Sequence, residues 1–261
     1  NPVVMWKNSG FTSYDISGSS MDLTTMSWYL REAFKTQHPK VVVIDILLMG
    51  NRGTTLDDIQ MRNIMDMPFG LNKLSASLSA SVNPTSREKV LFPMEQFHSR
   101  VYTIQQISRA NYLGQTFAQE SPNVFMGYRY LGASLNLKPD SEVQAFDKRL
   151  FERHYRELKK SLDFLKQQKC KVLLVNTPSA HLYNLVQYQD ALENRMGSTY
   201  PNVDFYWPQD YENSFKIDYK TEMLDYTHLN AKGADRFSRQ FGEYLKEHYT
   251  KELSTSVSTA S

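Results

Sequence analysis

The stretch Lys40-Val41-Val42-Val43-Ile44-Asp45-Ile46-Leu47-Leu48 (KVVVIDILL) decides the fold class. A near-continuous run of β-branched residues reads as a strand buried on both faces, the usual situation in a parallel sheet covered by helices. Upstream, Met21 to Phe34 carries Leu23, Met26, Leu30 and Phe34 at helical spacing, and His38-Pro39 stops it. Downstream the pattern repeats. Ser141 to Gln168 reads as a long amphipathic helix, Lys171 to Asn176 (KVLLVN) as a second buried strand, and Leu182 to Met196 as a helix. Val203 to Trp207 (VDFYW) reads as a third strand. Asn230 is placed to cap a last helix running to about His248, with Ala231, Ala234, Phe237 and Phe241 on one face. Tyr14-Asp15-Ile16 is a short strand-like run, and the segment before it looks helical. Alternation of this kind implies an α/β fold with a mainly parallel sheet. Ligands in such sheets bind at the carboxyl ends of the strands. Gly18-Ser19, Gly50-Asn51, Thr177-Pro178 and the Asp225–His228 loop would all fall on that edge.

Between residues 56 and 139 the pattern weakens. Short helices are expected at Leu56–Met65 and Glu95–Tyr112, separated by the Ser-rich stretch LSASLSASVNPTS. This region reads as a cap-like helical insertion in a single domain spanning residues 1–252. The low-complexity end, 253–261, reads as a disordered tail.

Composition narrows the function classes. The 261 residues include 30 Lys plus Arg against 28 Asp plus Glu, a net charge of +2, so no basic field for nucleic acid is present. Aromatics reach 13%, with 16 Tyr and 14 Phe, which suits sugar or polymer contacts as well as a Tyr-rich core boundary. The one cysteine, Cys170, lies between a basic helix and an apolar strand, where a buried structural thiol is the expectation. No zinc cluster, Walker loop, dinucleotide fingerprint or EF-hand pattern occurs, so neither metal nor cofactor is expected.

The chemistry-bearing stretch is DYTHLNAKGADRFS, Asp225 to Ser238. An acid three residues before a histidine can orient and charge-stabilise its imidazole, which can then take a proton from a hydroxyl. The spacing alone is weak, but its place in a loop before a capped terminal helix strengthens it. A loop histidine that merely caps or packs is the competing reading. Ser17-Gly18-Ser19-Ser20 forms a strand-to-helix turn that could expose a hydroxyl or offer backbone N–H groups to an oxyanion. Alternatively, Ser19 or Ser20 is a plain helix cap before Met21, with Asp22 in the first turn. Asn51 could donate to an oxyanion, or be an ordinary polar strand-end residue. His98, His154 and His181 read as structural or exposed.

DYTHLN followed by KGADRFS resembles the last block of the SGNH hydrolases, whose triad Asp and His lie three apart near the C-terminus. More closely, the chain is similar to extracytoplasmic SGNH-like proteins of Gram-positive bacteria related to teichoic-acid D-alanylation and polysaccharide O-acetylation proteins. The similarity is carried by GFTSYDISGSSMDLTTMSWYLREAFKTQHPKVVVID, LFPMEQFHSR, KVLLVNTPSA and DYTHLNAKGADRFS. It implies a three-layer α/β/α sandwich of SGNH or flavodoxin-like type. It also implies a serine esterase or acyltransferase acting on O-acyl groups of a cell-surface polysaccharide or teichoic acid. His228 and Asp225 would be the base and its orienting acid, with Gly18 and Asn51 at the oxyanion. The nucleophile is expected on a strand preceding Asn1, the segment before Tyr14 being too long and helix-like for a bare extension. Ser19 or Ser20 is the competing nucleophile. The resemblance further implies a glycopolymer or acylated carbohydrate as partner, no nucleic acid, a bacterial cell-surface location, and membrane attachment only through a segment outside this sequence. A non-catalytic surface-binding module on the same scaffold is the alternative.

Overall fold

The computed structural model describes residues 1–18, 21–50, 57–79, 126–128, 132, 136–138, 145–180, 185–207 and 215–254. Within them the chain is a mixed α/β fold with a three-stranded parallel sheet and several helices. In chain order these are α1 (Pro2–Ser9), α2 (Leu23–Ala33), β1 (Val41–Asp45), a 3-10 turn (Leu47–Gly50), α3 (Asp57–Met65) and α4 (Leu71–Ser79). There follow α5 (Lys148–Gln167), β2 (Lys171–Val175), α6 (Leu185–Met196), a second 3-10 turn (Gly197–Thr199), β3 (Val203–Tyr206) and α7 (Ala231–Ser254). The strand order is β1-β2-β3, with Val42 opposite Val172 and Val172 opposite Val203.

β2 organises the interior because its side chains alternate between two apolar cores. Val172 and Leu174 join Val42 and Ile44 of β1, Leu158, Leu162 and Leu165 of α5, and Leu192 of α6. Leu173 and Val175 point the other way, towards Phe237, Phe241, Leu245 and Tyr249 of α7, with Met5 of α1 packed alongside. All four of these β2 residues are buried, as the unbroken apolar run KVLLV requires.

β1 departs from expectation. Val42 and Ile44 are buried, but on the opposite face Val41 is only partly buried against the β2–α7 core and Val43 remains 43% exposed, so that face is incompletely covered. The strand stands at the sheet's edge among the described strands, whereas α7 packs against side chains of β2 and β3. β-branched composition here reflects strand preference rather than two-sided burial.

Other boundaries moved for identifiable reasons. Tyr14-Asp15-Ile16 is not a strand. Tyr14 and Ile16 are exposed, and the Asp15 amide donates at 2.9 Å to the carbonyl of Met126, which lies in a turn rather than in a sheet ladder. α2 starts at Leu23 because Asp22 is its cap, its Oδ1 accepting from the Thr25 amide at 2.6 Å. The capping role considered for Ser19 or Ser20 therefore belongs to Asp22. α5 starts at Lys148, capped by Asp147, rather than near residue 141. α7 runs to Ser254, past His248 and two residues into the stretch expected as tail.

α4 falls in the Ser-rich stretch where no helix was expected. Its apolar residues point outward, with Leu71 80% and Leu78 58% exposed, while Ala76 and Ser77 are buried. Ala76 joins Met61, Ile64 and Met67 in a small third core against Trp28 and Tyr29 of α2. Close helix packing through small side chains leaves no apolar periodicity to read. Of the expected insertion, 57–79, 126–128, 132 and 136–138 are described, and the expected helix Glu95–Tyr112 lies outside the described residues. No described helix is long and apolar enough to cross a membrane.

Cys170 is buried, and burial pushes its thiol up to about 11, which leaves it protonated and structural at neutral pH.

Deleting a fully buried side chain from the central strand should be costly. Leu174→Ala should lower stability by about 2–5 kcal/mol in urea unfolding, whereas Leu78→Ser on the exposed face of α4 should change it by less than about 0.5 kcal/mol.

Candidate active site

The loop between Glu222 and Asn230 carries the candidate acid and base. It is closed at its neck by an antiparallel bridge between Met223 and Leu229. The Leu224 amide also donates to the His228 carbonyl at 2.8 Å, so the chain turns back on itself within five residues. Inside that turn one carboxylate collects the donors. Asp225 Oδ1 accepts from the Thr227 amide and the His228 amide, both at 2.8 Å, and from Thr227 Oγ1 at 3.1 Å. This local use of an Asp side chain in place of a backbone turn follows from its short reach.

The same carboxylate holds the imidazole. His228 Nδ1 lies 2.9 Å from Asp225 Oδ1 and 2.8 Å from Oδ2. An acceptor-only partner places the proton on Nδ1 and leaves the lone pair on Nε2. Nε2 has no partner among the described residues, and the His228 side chain is 64% exposed. Desolvation opposes the charge on Asp225. The Thr227 amide and the His228 ring outweigh it and hold the carboxyl below its ordinary value. The arrangement is an ionised acid orienting a histidine whose far nitrogen is open to solvent and able to accept a proton.

Two anchors fix this loop to the body. Beneath it, Arg236 of α7 grips Glu222, with Nε donating to Oε1 at 2.8 Å and an Nη donating to Oε2 at 2.5 Å. Glu222 is buried at 4% exposure, and its Oε2 also accepts from the Asp218 amide at 2.9 Å. Burial works against its charge, but the guanidinium and that amide keep the carboxyl below its ordinary range. The Arg236 guanidinium also stacks 4.1 Å from the Phe215 ring centre. Asn230 caps α7 as expected, its Oδ1 accepting from the Gly233 amide at 3.1 Å while its Nδ2 donates to the Thr221 carbonyl at 2.8 Å. Gly233 is required by closeness, since a Cβ there would stand 2.3 Å from the Glu222 carbonyl oxygen. The second anchor comes from the loop after β2, where the Ala180 amide donates to the Tyr226 carbonyl at 2.8 Å.

Asp225 and His228 are thus brought together. Ser19, Ser20, Asn51, His98 and His181 lie outside the described residues. Gly18 sits against α3, where a Cβ would come 2.4 Å from Asn63 Oδ1, and its carbonyl accepts from the Met21 amide at 3.2 Å. No hydrogen bond joins Gly18 to the Asp225–His228 pair among the described residues. His154, read as structural or exposed, is half-buried with Nδ1 3.2 Å from the Met49 carbonyl oxygen.

Residues that support the loop escaped the sequence reading. Thr227, Glu222 and Arg236 look like ordinary loop and helix polar residues, and nothing in their spacing marks them. Asp45 did leave a signal, a lone acid inside the run VVVIDILL. No family model matches this chain, and neither do any curated protein or any solved structure.

Arg236→Met would leave Glu222 buried without its cation, and should cost about 2–4 kcal/mol, at the lower end of such losses because the guanidinium is partly solvated. Glu222 and Asp225 both have lowered pKa values when folded. Their contribution is present above the ordinary values of 4.5 and 3.8 and disappears as pH falls through the lower folded values. Stability should therefore drop on acidification below about pH 4.5, and Glu222→Gln should flatten that drop in a pH series of urea unfolding curves.

Proposed function

We propose that this chain is an SGNH-type serine esterase or acyltransferase acting on O-acyl groups of a cell-surface polysaccharide or teichoic acid. The observation that carries the reading is the Asp225 carboxylate on Nδ1 of His228, with Nε2 exposed and unpartnered among the described residues. An acid and a histidine three residues apart, in the loop before a capped last helix, resemble the terminal block of that family. The fold we propose with it is a three-layer α/β/α sandwich. In its support, β2 feeds apolar cores on both of its faces.

In the proposed reaction a serine hydroxyl attacks the ester carbonyl. His228 Nε2 takes the hydroxyl proton and then delivers it to the departing alkoxide. Asp225 holds the Nδ1 proton and stabilises the imidazolium formed between the two transfers. Backbone N–H groups at Gly18, with Asn51, are the proposed donors to the oxyanion. The acyl-serine is then released to water, giving an esterase, or to a sugar hydroxyl, giving a transferase. The serine is Ser19, Ser20, or a residue preceding Asn1 in a longer protein. A glycopolymer substrate goes with an extracytoplasmic, bacterial cell-surface location and with membrane attachment through a segment outside this sequence.

Turnover of p-nitrophenyl acetate should be lost in His228→Ala. It should fall by roughly 10²- to 10⁴-fold in Asp225→Asn, which removes the charge that orients the ring. A fluorophosphonate probe followed by peptide mapping identifies the nucleophile, with the label expected on Ser19, Ser20 or a serine upstream of Asn1. Undiminished turnover in His228→Ala sinks the triad assignment. Absence of labelling in the full-length protein points instead to a non-catalytic binding module on the same scaffold.

A further inference from the structure

The carboxyl end of the sheet holds a second acid that the proposed chemistry does not use. Asp45 is the last residue of β1, and its side chain crosses to the loop that leaves β2. Oδ2 accepts from Thr177 Oγ1, and Oδ1 accepts from the Leu47 amide at 2.9 Å and, weakly, from the Thr177 amide at 3.4 Å. One carboxylate thereby ties the turn after β1 to the turn after β2. The strands are already joined there, since the Ile46 amide donates to the Val175 carbonyl at 2.8 Å. The ladder does not reach Thr177, and the Asp45 side chain carries the connection two residues further.

Thr177 begins a short tight path. Pro178 fixes its own φ. Ser179 is buried at 5% and Ala180 at 0%, the latter within the core formed by β2 and α7. The Ala180 amide donates to the Tyr226 carbonyl, midway between Asp225 and His228. The route from Asp45 to the imidazole therefore consists of a side-chain clamp, three residues of restricted chain and one backbone hydrogen bond.

We propose that Asp45 is a positioning residue, which through Thr177 fixes the loop after β2 and so holds the Asp225–His228 loop against the sheet. Its catalytic meaning rests on His228 acting as the base; the mechanical link does not. Asp225 sets the imidazole's orientation within the loop, and the Glu222–Arg236 pair holds the loop from α7. Met223 at the neck packs with Leu173 and Val175 of β2, but neither Asp225 nor the Glu222–Arg236 pair makes a described bond that ties the loop to β1. The Asp45–Thr177 clamp supplies that constraint, at the edge where a substrate ester must meet Nε2.

The test uses the full chain and two spectroscopic readouts. In Thr177→Val and Asp45→Ala, hydrogen exchange of the Ala180 amide should quicken by roughly three- to tenfold, as expected for loss of one ordinary hydrogen bond. The amide of Val172, bonded to the Asn202 carbonyl in the sheet, should keep its rate. The nitrogen chemical shifts of the His228 ring should move towards a mixed tautomer as the loop loosens. Asp45→Asn keeps an acceptor for Thr177 and should fall between wild type and Asp45→Ala, which also serves if the alanine variant folds poorly. Unchanged Ala180 exchange and ring shifts in both clamp variants overturn the proposal. Equal acceleration of Ala180 and Val172 overturns it too, since that marks a general loss of stability. The failures separate cleanly. A wild type without ester turnover but with the expected exchange pattern sinks the esterase reading alone. Normal turnover with unchanged exchange sinks the clamp alone.

Discussion

The Glu222–Arg236 ion pair is the interaction on which the candidate site depends. Glu222 is buried, and a buried carboxylate persists only where its charge is met by good geometry and enough donors. Arg236 supplies two hydrogen bonds and the Asp218 amide a third. The same backbone stretch is pressed against α7 so closely that only glycine fits at 233. The start of the last helix and the root of the acid–histidine loop are therefore one rigid unit. Because α7 lies on the β2 and β3 core through Phe237 and Phe241, the loop inherits the stiffness of the sheet.

The loop's own geometry is a separate matter. Asp225 satisfies two backbone amides, a threonine hydroxyl and an imidazole from within four residues. Its ionisation follows from that crowd of donors rather than from any distant charge. The division is consistent with the chemistry proposed. Local bonds decide which nitrogen of His228 is basic, and long-range bonds decide where that nitrogen stands.

Much of this was legible in the sequence, and the limits have physical causes. KVLLV announced a strand buried on both faces, and it is one. KVVVID is also rich in β-branched residues but has only one fully covered face, because burial depends on what packs against a strand and a run of valines does not encode its neighbours. Asn230 as a cap was readable from its position before a periodic apolar face. Asp22 was placed in the first turn rather than at the cap, since it, Ser19 and Ser20 are all good caps and only a two-residue shift in the helix start selects among them. α4 was invisible because small residues made its contacts. The Asp225–His228 pair was found because its partners are three apart in the chain, whereas Asp45–Thr177 and Glu222–Arg236 join residues 132 and 14 positions apart.

The neck of the loop at Met223 and Leu229 has one more consequence. The described bonds that define the acid–histidine geometry lie between those two residues, and the Glu222–Arg236 pair and the Asn230 cap that anchor it lie outside them. The segment is a cassette. Tyr226 ties this cassette to the loop after β2 through its backbone oxygen, and its side chain is 41% exposed. Because the acid and the histidine sit together inside one neck, a shift of the loop would carry both and leave their mutual geometry intact.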